Sequence, residues 1–291
     1  MFYLKKRRKQ MIALCLSAAL SVGSLTAYAA TEYWNDASTK PMVETKTPIS
    51  DNTNWEQWKA GWDNLKTNYE QVALTPGADF SKLNFGWYSK EKTDKAMVRI
   101  ADNKEMKNAK EFKGTCTEGT VINGVQYYSN KVTADGFEPN TTYYYQVKLN
   151  GKWQQAHEYK TGDPHNFSFM YVGDPQIGAS KGQVPNESAV EQSEDVAARN
   201  DAYNWNKTLN SALAQHPEIN FLVSPGDQIN EPAGNNAEKH LLQEYEYSGY
   251  LSATAFRNLP QAVAIGNHDC LTTSYQNHFN VPNPFTAETN S

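Results

Sequence analysis

Cysteine is scarce in this chain: three residues in 291. One, Cys15, lies in an N-terminal apolar run, which leaves Cys116 and Cys270. Two thiols are far too few for a disulfide framework, so a buried core must hold the fold. Export would permit one bridge between them; two separate buried thiols are the expectation. Basic excess is also lacking. Lys and Arg number 27 against 32 Asp and Glu, a formal charge of −5. That balance gives no electrostatic reason to expect nucleic-acid binding. No Gly-x-Gly-x-x-Gly follows any apolar strand, which excludes a dinucleotide-binding site. Beyond the first thirty residues no apolar run is long enough to cross a bilayer.

What is present begins with a leader. "MFYLKKRRKQ" carries five cations and no acid, "MIALCLSAALSVGSL" is apolar, and "TAYAA" supplies small residues at cleavage spacing. Residues 1–30 therefore read as a secretory signal peptide, cut after Ala29 or Ala30, and the protein is expected to be secreted or displayed at the cell surface. Losing those five cations takes the formal charge from −5 to −10. Residues 31–51 have no clear period and read as a linker. Residues 52–70 read as an amphipathic helix, with Trp55, Trp58, Trp62, Leu65 and Tyr69 on one face and Thr53 with Glu56 as a capping box. The tryptophan stripe is either a sugar-stacking platform or, as helical spacing of large apolar groups favours, a surface packed onto the following domain.

Residues 71–163 change texture. Short runs such as "QVALTP", "LNFGWYS", "AMVRIA", "VQYYSNKVTA" and "TTYYYQVKLNG" are punctuated at Pro76–Gly77, Asn123–Gly124 and Glu138–Pro139–Asn140. That pattern predicts an all-β sandwich. From 164 onward, apolar strands alternate with helical patterns: "NFSFMYVGD", then 194–215, "INFLVSPGD", then 236–256, and "LPQAVAIGNHD". Such alternation implies crossovers and a parallel sheet.

Each of these three strands ends at glycine followed by a metal-binding residue type: Gly173–Asp174, Gly226–Asp227 and Gly266–Asn267. Parallel strands bring their carboxyl ends to one edge, where ligands bind, and glycine lets the chain turn there. Two carboxylates and an amide oxygen gathered at one rim call for a cation.

The stretches "GDPQ" (173–176), "GDQ" (226–228) and "GNHD" (266–269) make the chain resemble calcineurin-like metallophosphoesterases. With "QVALTPGADFSKLNFGWYS" and "GFEPNTTYYYQV" ahead of them, it is most similar to exported purple acid phosphatase-like proteins. The resemblance implies a two-domain chain. A fibronectin III-like sandwich would precede a partial α/β metallophosphoesterase domain over 164–291, the first half of an αββα sandwich. It implies two metal ions (Fe, Mn or Zn), with Asp174 on the first, Asp227 bridging, Asn267 on the second and a small phosphate ester as substrate. His268 would face the phosphate, and Asp269 would orient that ring or cap the strand end. Gln176 stands where many relatives place histidine, and Asn230 where the purple enzymes place the tyrosine that colours their iron. The later strand-end histidine and Gly-His-x-His segment of the family have no counterpart after Asp269. The resemblance therefore implies a partner for this half-domain, its missing C-terminal half. His278 follows His268 too closely to replace those ligands and reads as a loop or substrate-rim residue. His157, His165, His216 and His240 read as surface or packing residues. A different class of function is a secreted glycan-binding or cell-surface protein that keeps a degenerate phosphoesterase scaffold, with the tryptophan helix as its platform.

Overall fold

The computed structural model describes residues 55–181, 193–232 and 236–282; the leader, the linker and the cap at Thr53 lie outside the described residues. Helix α1 (Trp55–Lys66) is followed by β1 (Ala73–Pro76), β2 (Lys82–Ser89), β3 (Met97–Ala101), β4 (Lys110–Lys113), β5 (Thr115–Ile122), β6 (Val125–Asp135), β7 (Thr142–Leu149), β8 (Lys152–Trp153) and β9 (His157–Lys160). These strands form two antiparallel sheets, one ordered β1-β2-β6-β5 and one ordered β4-β3-β7-β8 with β9 also on β7. Leu83, Phe85, Trp87, Val98, Ile100, Val132, Tyr145 and Val147 fill the space between them. Strands β4 and β5 escape the sequence reading because "KEFK" and "TCTEGTVI" are mostly exposed and carry little apolar alternation. Asn123–Gly124 closes the β5–β6 hairpin with both residues at positive φ, as the sequence suggests, and Asn150–Gly151 repeats the device between β7 and β8.

The remainder contains β10 (Ser168–Tyr171), α2 (Glu194–Gln215), β11 (Ile219–Ser224), α3 (Ala237–Leu251), a 3-10 turn (Thr254–Arg257), β12 (Gln261–Val263) and α4 (Ser274–His278). The three strands are parallel in the order β10-β11-β12, so β11 is central. One face of this sheet packs Met170, Leu222 and Val263 against the helices. The other is open. Phe169 and Tyr171 project from it at 51% and 58% exposure, and the Phe169 ring stacks on Phe221 at 5.6 Å. Parallel sheets are ordinarily covered on both faces.

Helix α1 packs elsewhere than the sequence suggests. Its tryptophans are buried, but against α2 and α3 rather than on the sandwich that follows them in the chain. Trp62 Nε1 donates to Asp195 Oδ1 at 2.7 Å, Lys66 pairs with the same carboxylate at 2.8 Å, and Trp58 Nε1 donates to the Arg199 carbonyl at 3.0 Å. The stripe is therefore core and offers no stacking platform. Asp195, a first-turn acid suited to the α2 dipole, does double duty as the docking point.

Strand β2 is buried on both faces, which explains why "LNFGWYS" lacks alternation. Its outer face is covered by α3 and by the segment from α4 to Asn280. The chain passes so close over Gly86 that a Cβ there would stand 2.3 Å from the His278 carbonyl oxygen. Ser129 Oγ donates to the Asn277 carbonyl at 2.8 Å, and Asn280 Nδ2 to that of Val132 at 3.0 Å. His278 is consequently not a rim residue. It is 1% exposed, lies between the rings of Tyr88 and Tyr247, and bonds Glu244 Oε2 through Nε2 at 2.8 Å. Cys116 and Cys270 are free, and Cys270 is exposed rather than buried.

Candidate functional site

The central position of β11 puts Asp227, three residues past its end, between the loops that follow β10 and β12. From one side Gln176 N donates to the Asp227 carbonyl at 2.9 Å and Ile177 N to that of Gln228 at 3.2 Å. From the other, His268 N donates to Asp227 Oδ1 at 2.9 Å. The three strand ends named from the sequence are thus joined through Asp227. Asp227 and Asp269 are buried, Gln176 and His268 half-buried, and Asp174 and Asn267 exposed at the rim.

The backbone here is unusual. Asp174, Gln176 and Asp227 have φ of 37°, 33° and 50°, left-handed values that cost an ordinary side chain roughly 1–2 kcal/mol each. Such conformations persist only where the surroundings hold them, and they gather at functional sites. The strand-end glycines serve different purposes. A Cβ at Gly266 would lie 2.0 Å from Asp227 Oδ1 and 2.1 Å from its amide nitrogen. Gly226, at φ 135°, faces Gly266 so closely that its Cβ would meet Gly266 Cα at 2.6 Å. Gly173 has open space around it.

Three carboxylates hold the loops in place. Asp269 Oδ2 accepts from Gly266 N at 3.0 Å and Gln228 N at 3.3 Å, while Oδ1 accepts from the Tyr247 hydroxyl at 2.8 Å. Of the two roles expected of Asp269, these bonds describe the strand-end cap. The His268 ring is met at Nδ1 by the Asn230 carbonyl. A carbonyl oxygen only accepts, so Nδ1 carries the proton in this contact, and in a neutral ring the acceptor nitrogen is then Nε2. Burial pushes the Asp269 carboxyl above its ordinary range.

Asp201 on α2 and Glu246 on α3 were not among the residues the sequence singled out. Asp201 Oδ2 accepts from Gly178 N at 2.9 Å and Ser180 N at 3.1 Å. Glu246 Oε2 accepts from Asn230 N at 3.0 Å and Glu231 N at 2.7 Å. A signal for both existed. Ala197–Asp201–Trp205 and Leu242–Glu246–Tyr250 each set an acid on a helix's apolar stripe, where an unassisted charge does not belong.

Burial drives Asp201 up to about 6, its two amide donors only partly opposing the shift. An acid with a raised folded pKa favours the folded state in its protonated form. That contribution is complete below pH ~4 and disappears as pH rises through about 6. Roughly two pKa units correspond to about 3 kcal/mol. Asn at this position keeps the acceptor without the charge. Asp201→Asn is therefore expected to leave stability at pH 4 nearly unchanged and to raise it by ~1–3 kcal/mol at pH 7, read by urea denaturation at both values. Equal effects at the two pH values would refute this account of Asp201.

As a metal centre the donor set is partial. Among the described residues no group of three or more His, Cys, Asp or Glu is arranged to hold a metal ion. Asp174, Asp227, Asn267 and Gln176 supply two carboxylates and two amide oxygens, a hard, oxygen-only set suited to ions such as Mn²⁺ and, without imidazole, less to Zn²⁺. In donor type they suit a cation, and four oxygens are too few for the coordination spheres of two.

Comparison with known proteins places residues 69–161 in the purple acid phosphatase N-terminal domain model. Among solved structures, the purple acid phosphatase PPD1 from yellow lupin (Lupinus luteus) seeds aligns with TM-score 0.49 and 15% identity, over 72% of this chain and 40% of that one. PhoD aligns with TM-score 0.42 and 16% identity, over 69% of this chain and 40% of that one. The chain thus spans about two fifths of the length of both. No curated protein matches. The span from the start of β1 to the end of β9 fills nearly all of the matched region, so it is the antiparallel part of this chain that is similar to the purple acid phosphatase N-terminal domain.

Proposed function

We propose that this chain is the first half of an exported, metal-dependent phosphoesterase of the purple acid phosphatase-like group. Asp174, Asp227, Asn267 and Gln176 would contribute to a two-metal site, and His268 would face the phosphate of a small ester. The observation that carries the reading is Asp227: a buried carboxylate in a left-handed backbone, touched by the loops of both neighbouring strands. The N-terminal domain match supports the same family. When bound, the metals would polarise phosphoryl oxygens and lower the pKa of a water. The protein's own part is to hold those oxygens at one rim and to aim the His268 ring at it.

Two further features bear on completeness. The donors present make up only part of two coordination spheres, and the aromatic face of the parallel sheet is open. We propose that a second sheet, from a C-terminal half of the catalytic domain, covers that face and brings the remaining ligands. Export rests on the leader at 1–30. No helix among the described residues is long and apolar enough to cross a membrane. The glycan-binding alternative loses its platform, since Trp55, Trp58 and Trp62 are buried.

Titrating Mn²⁺ into the chain by calorimetry tests the site directly. Binding is expected to weaken at least ~10-fold in Asp227→Asn, since even outer partners of metal ligands carry that much. Aryl-phosphate turnover by these 291 residues alone should be negligible. Unchanged Mn²⁺ affinity in the variant, or metal-independent hydrolysis, would remove the reading.

A further inference from the structure

We infer that Glu246 is a positioning residue for His268, acting through the Asn230 backbone to hold the imidazole as its Nδ1–H tautomer with Nε2 turned to the substrate side. This rests on the proposed reading of His268 as the phosphate-facing group. The geometry is a short relay. Glu246 Oε2 takes the amide protons of Asn230 and Glu231, at 3.0 and 2.7 Å. That grip fixes the peptide on the far side of Asn230, whose carbonyl meets His268 Nδ1. The other Glu246 oxygen lies against Gly178 in the β10 loop, where a Cβ would approach it to 2.2 Å. One side chain from the middle of α3 therefore braces two of the three strand-end loops.

The carboxyl is almost fully buried, and burial pushes it well above the ordinary range, with Glu231 and Asp201 adding to the effect. A buried acid gripping two loop amides is costly to keep for packing alone, because an apolar residue would fill that space. What an apolar residue would not do is hold the Asn230 carbonyl in line with the ring. The consequence is chemical. An imidazole side chain left to water prefers its proton on Nε2. A carbonyl acceptor at Nδ1 reverses that preference and leaves Nε2 as the atom that takes or, in the imidazolium, gives a proton.

The test reads the tautomer rather than turnover. Long-range ¹H–¹⁵N spectra of the full chain, with His268 assigned through its loss in His268→Ala, report which nitrogen carries the proton. Wild type is expected to show Nδ1–H. Glu246→Gln, whose amide oxygen still accepts from both amides, should keep it. Glu246→Leu should lower the Nδ1–H to Nε2–H ratio about 5-fold, the change one hydrogen bond supplies. Should the leucine variant fail to fold, Glu246→Asp withdraws the carboxyl by one methylene and should move the ratio in the same direction. A wild-type Nε2–H tautomer, or an unchanged ratio in a folded Leu or Asp variant, overturns the inference. Mn²⁺ titration of the same samples separates it from the functional reading. A shifted tautomer together with an Mn²⁺ affinity that Asp227→Asn leaves unchanged would keep Glu246 as the positioning residue and remove the phosphoesterase assignment.

Discussion

Replacing His278 by phenylalanine is expected to destabilise the protein by about 3–5 kcal/mol, with a fall in Tm on the order of 10 °C. The reason is its partner. Glu244 is 0% exposed and is held by His278 Nε2 at 2.8 Å, Ser274 Oγ at 2.9 Å and, weakly, the Tyr88 hydroxyl at 3.4 Å. Burial opposes its charge, yet the imidazole beside it holds the carboxyl below its ordinary range. That contribution is present above the usual glutamate value and is lost as pH falls through the folded one. Phenylalanine fills the gap between Tyr88 and Tyr247, so the cost reflects the stranded carboxylate and not a cavity. Adding Glu244→Gln to His278→Phe should then recover much of the loss, because the remaining group is neutral and Ser274 still reaches it. A His278→Phe variant as stable as wild type, or a double variant worse than both singles, would show that the pair contributes nothing to the fold.

A methyl group at Gly226 or Gly266 is expected to cost about 4 kcal/mol, and at Gly173 less than about 1. Gly226→Ala meets two penalties, a φ of 135° that L side chains rarely adopt and contact with Gly266 Cα. Gly266→Ala drives a methyl into the Asp227 amide nitrogen, a backbone atom that cannot swing aside. Relief would require the β11 and β12 ends to part, which moves the Asp227 carboxylate as well. Both variants should therefore lose Mn²⁺ affinity together with stability, while Gly173→Ala keeps both. Chemical denaturation and calorimetry on the three variants decide the matter. Equal, small effects at all three positions would mean that the strand ends are not pressed together as described.

These three glycines also show what a chain pattern does and does not determine. Gly-Asp, Gly-Asp and Gly-Asn after apolar runs identify one sheet edge, because parallel strands end on the same side wherever their crossovers go. The hairpin at Asn123–Gly124 and the extent of α2 were legible for the same local reason: φ preference and a 3.6-residue period are properties of neighbouring residues. The helical pattern over 236–256 overruns α3, which ends at Leu251 and is followed by the separate 3-10 turn. Strands β4 and β5 were not legible, since an exposed strand carries no apolar alternation.

Everything that depends on a distant neighbour waited for the tertiary structure. "TNWEQWKAGWDNLK" shows a buried face but not which surface buries it, and α2 and α3 won over the adjacent sandwich because Asp195 and the Arg199 carbonyl accept from its indoles. His278 reads as a loop histidine until Glu244, 34 residues earlier, stands beside it. Asp269, adjacent in sequence to His268, grips Gly266, Gln228 and Tyr247, while the His268 ring is held by a carbonyl 38 residues upstream. The sequence alone determined that the three strands are parallel and end at one sheet edge, since strand alternation with helices and turn chemistry are written locally. Which residues there face a ligand and which brace the others was decided only by packing, because a hydrogen-bond partner is chosen by proximity in space.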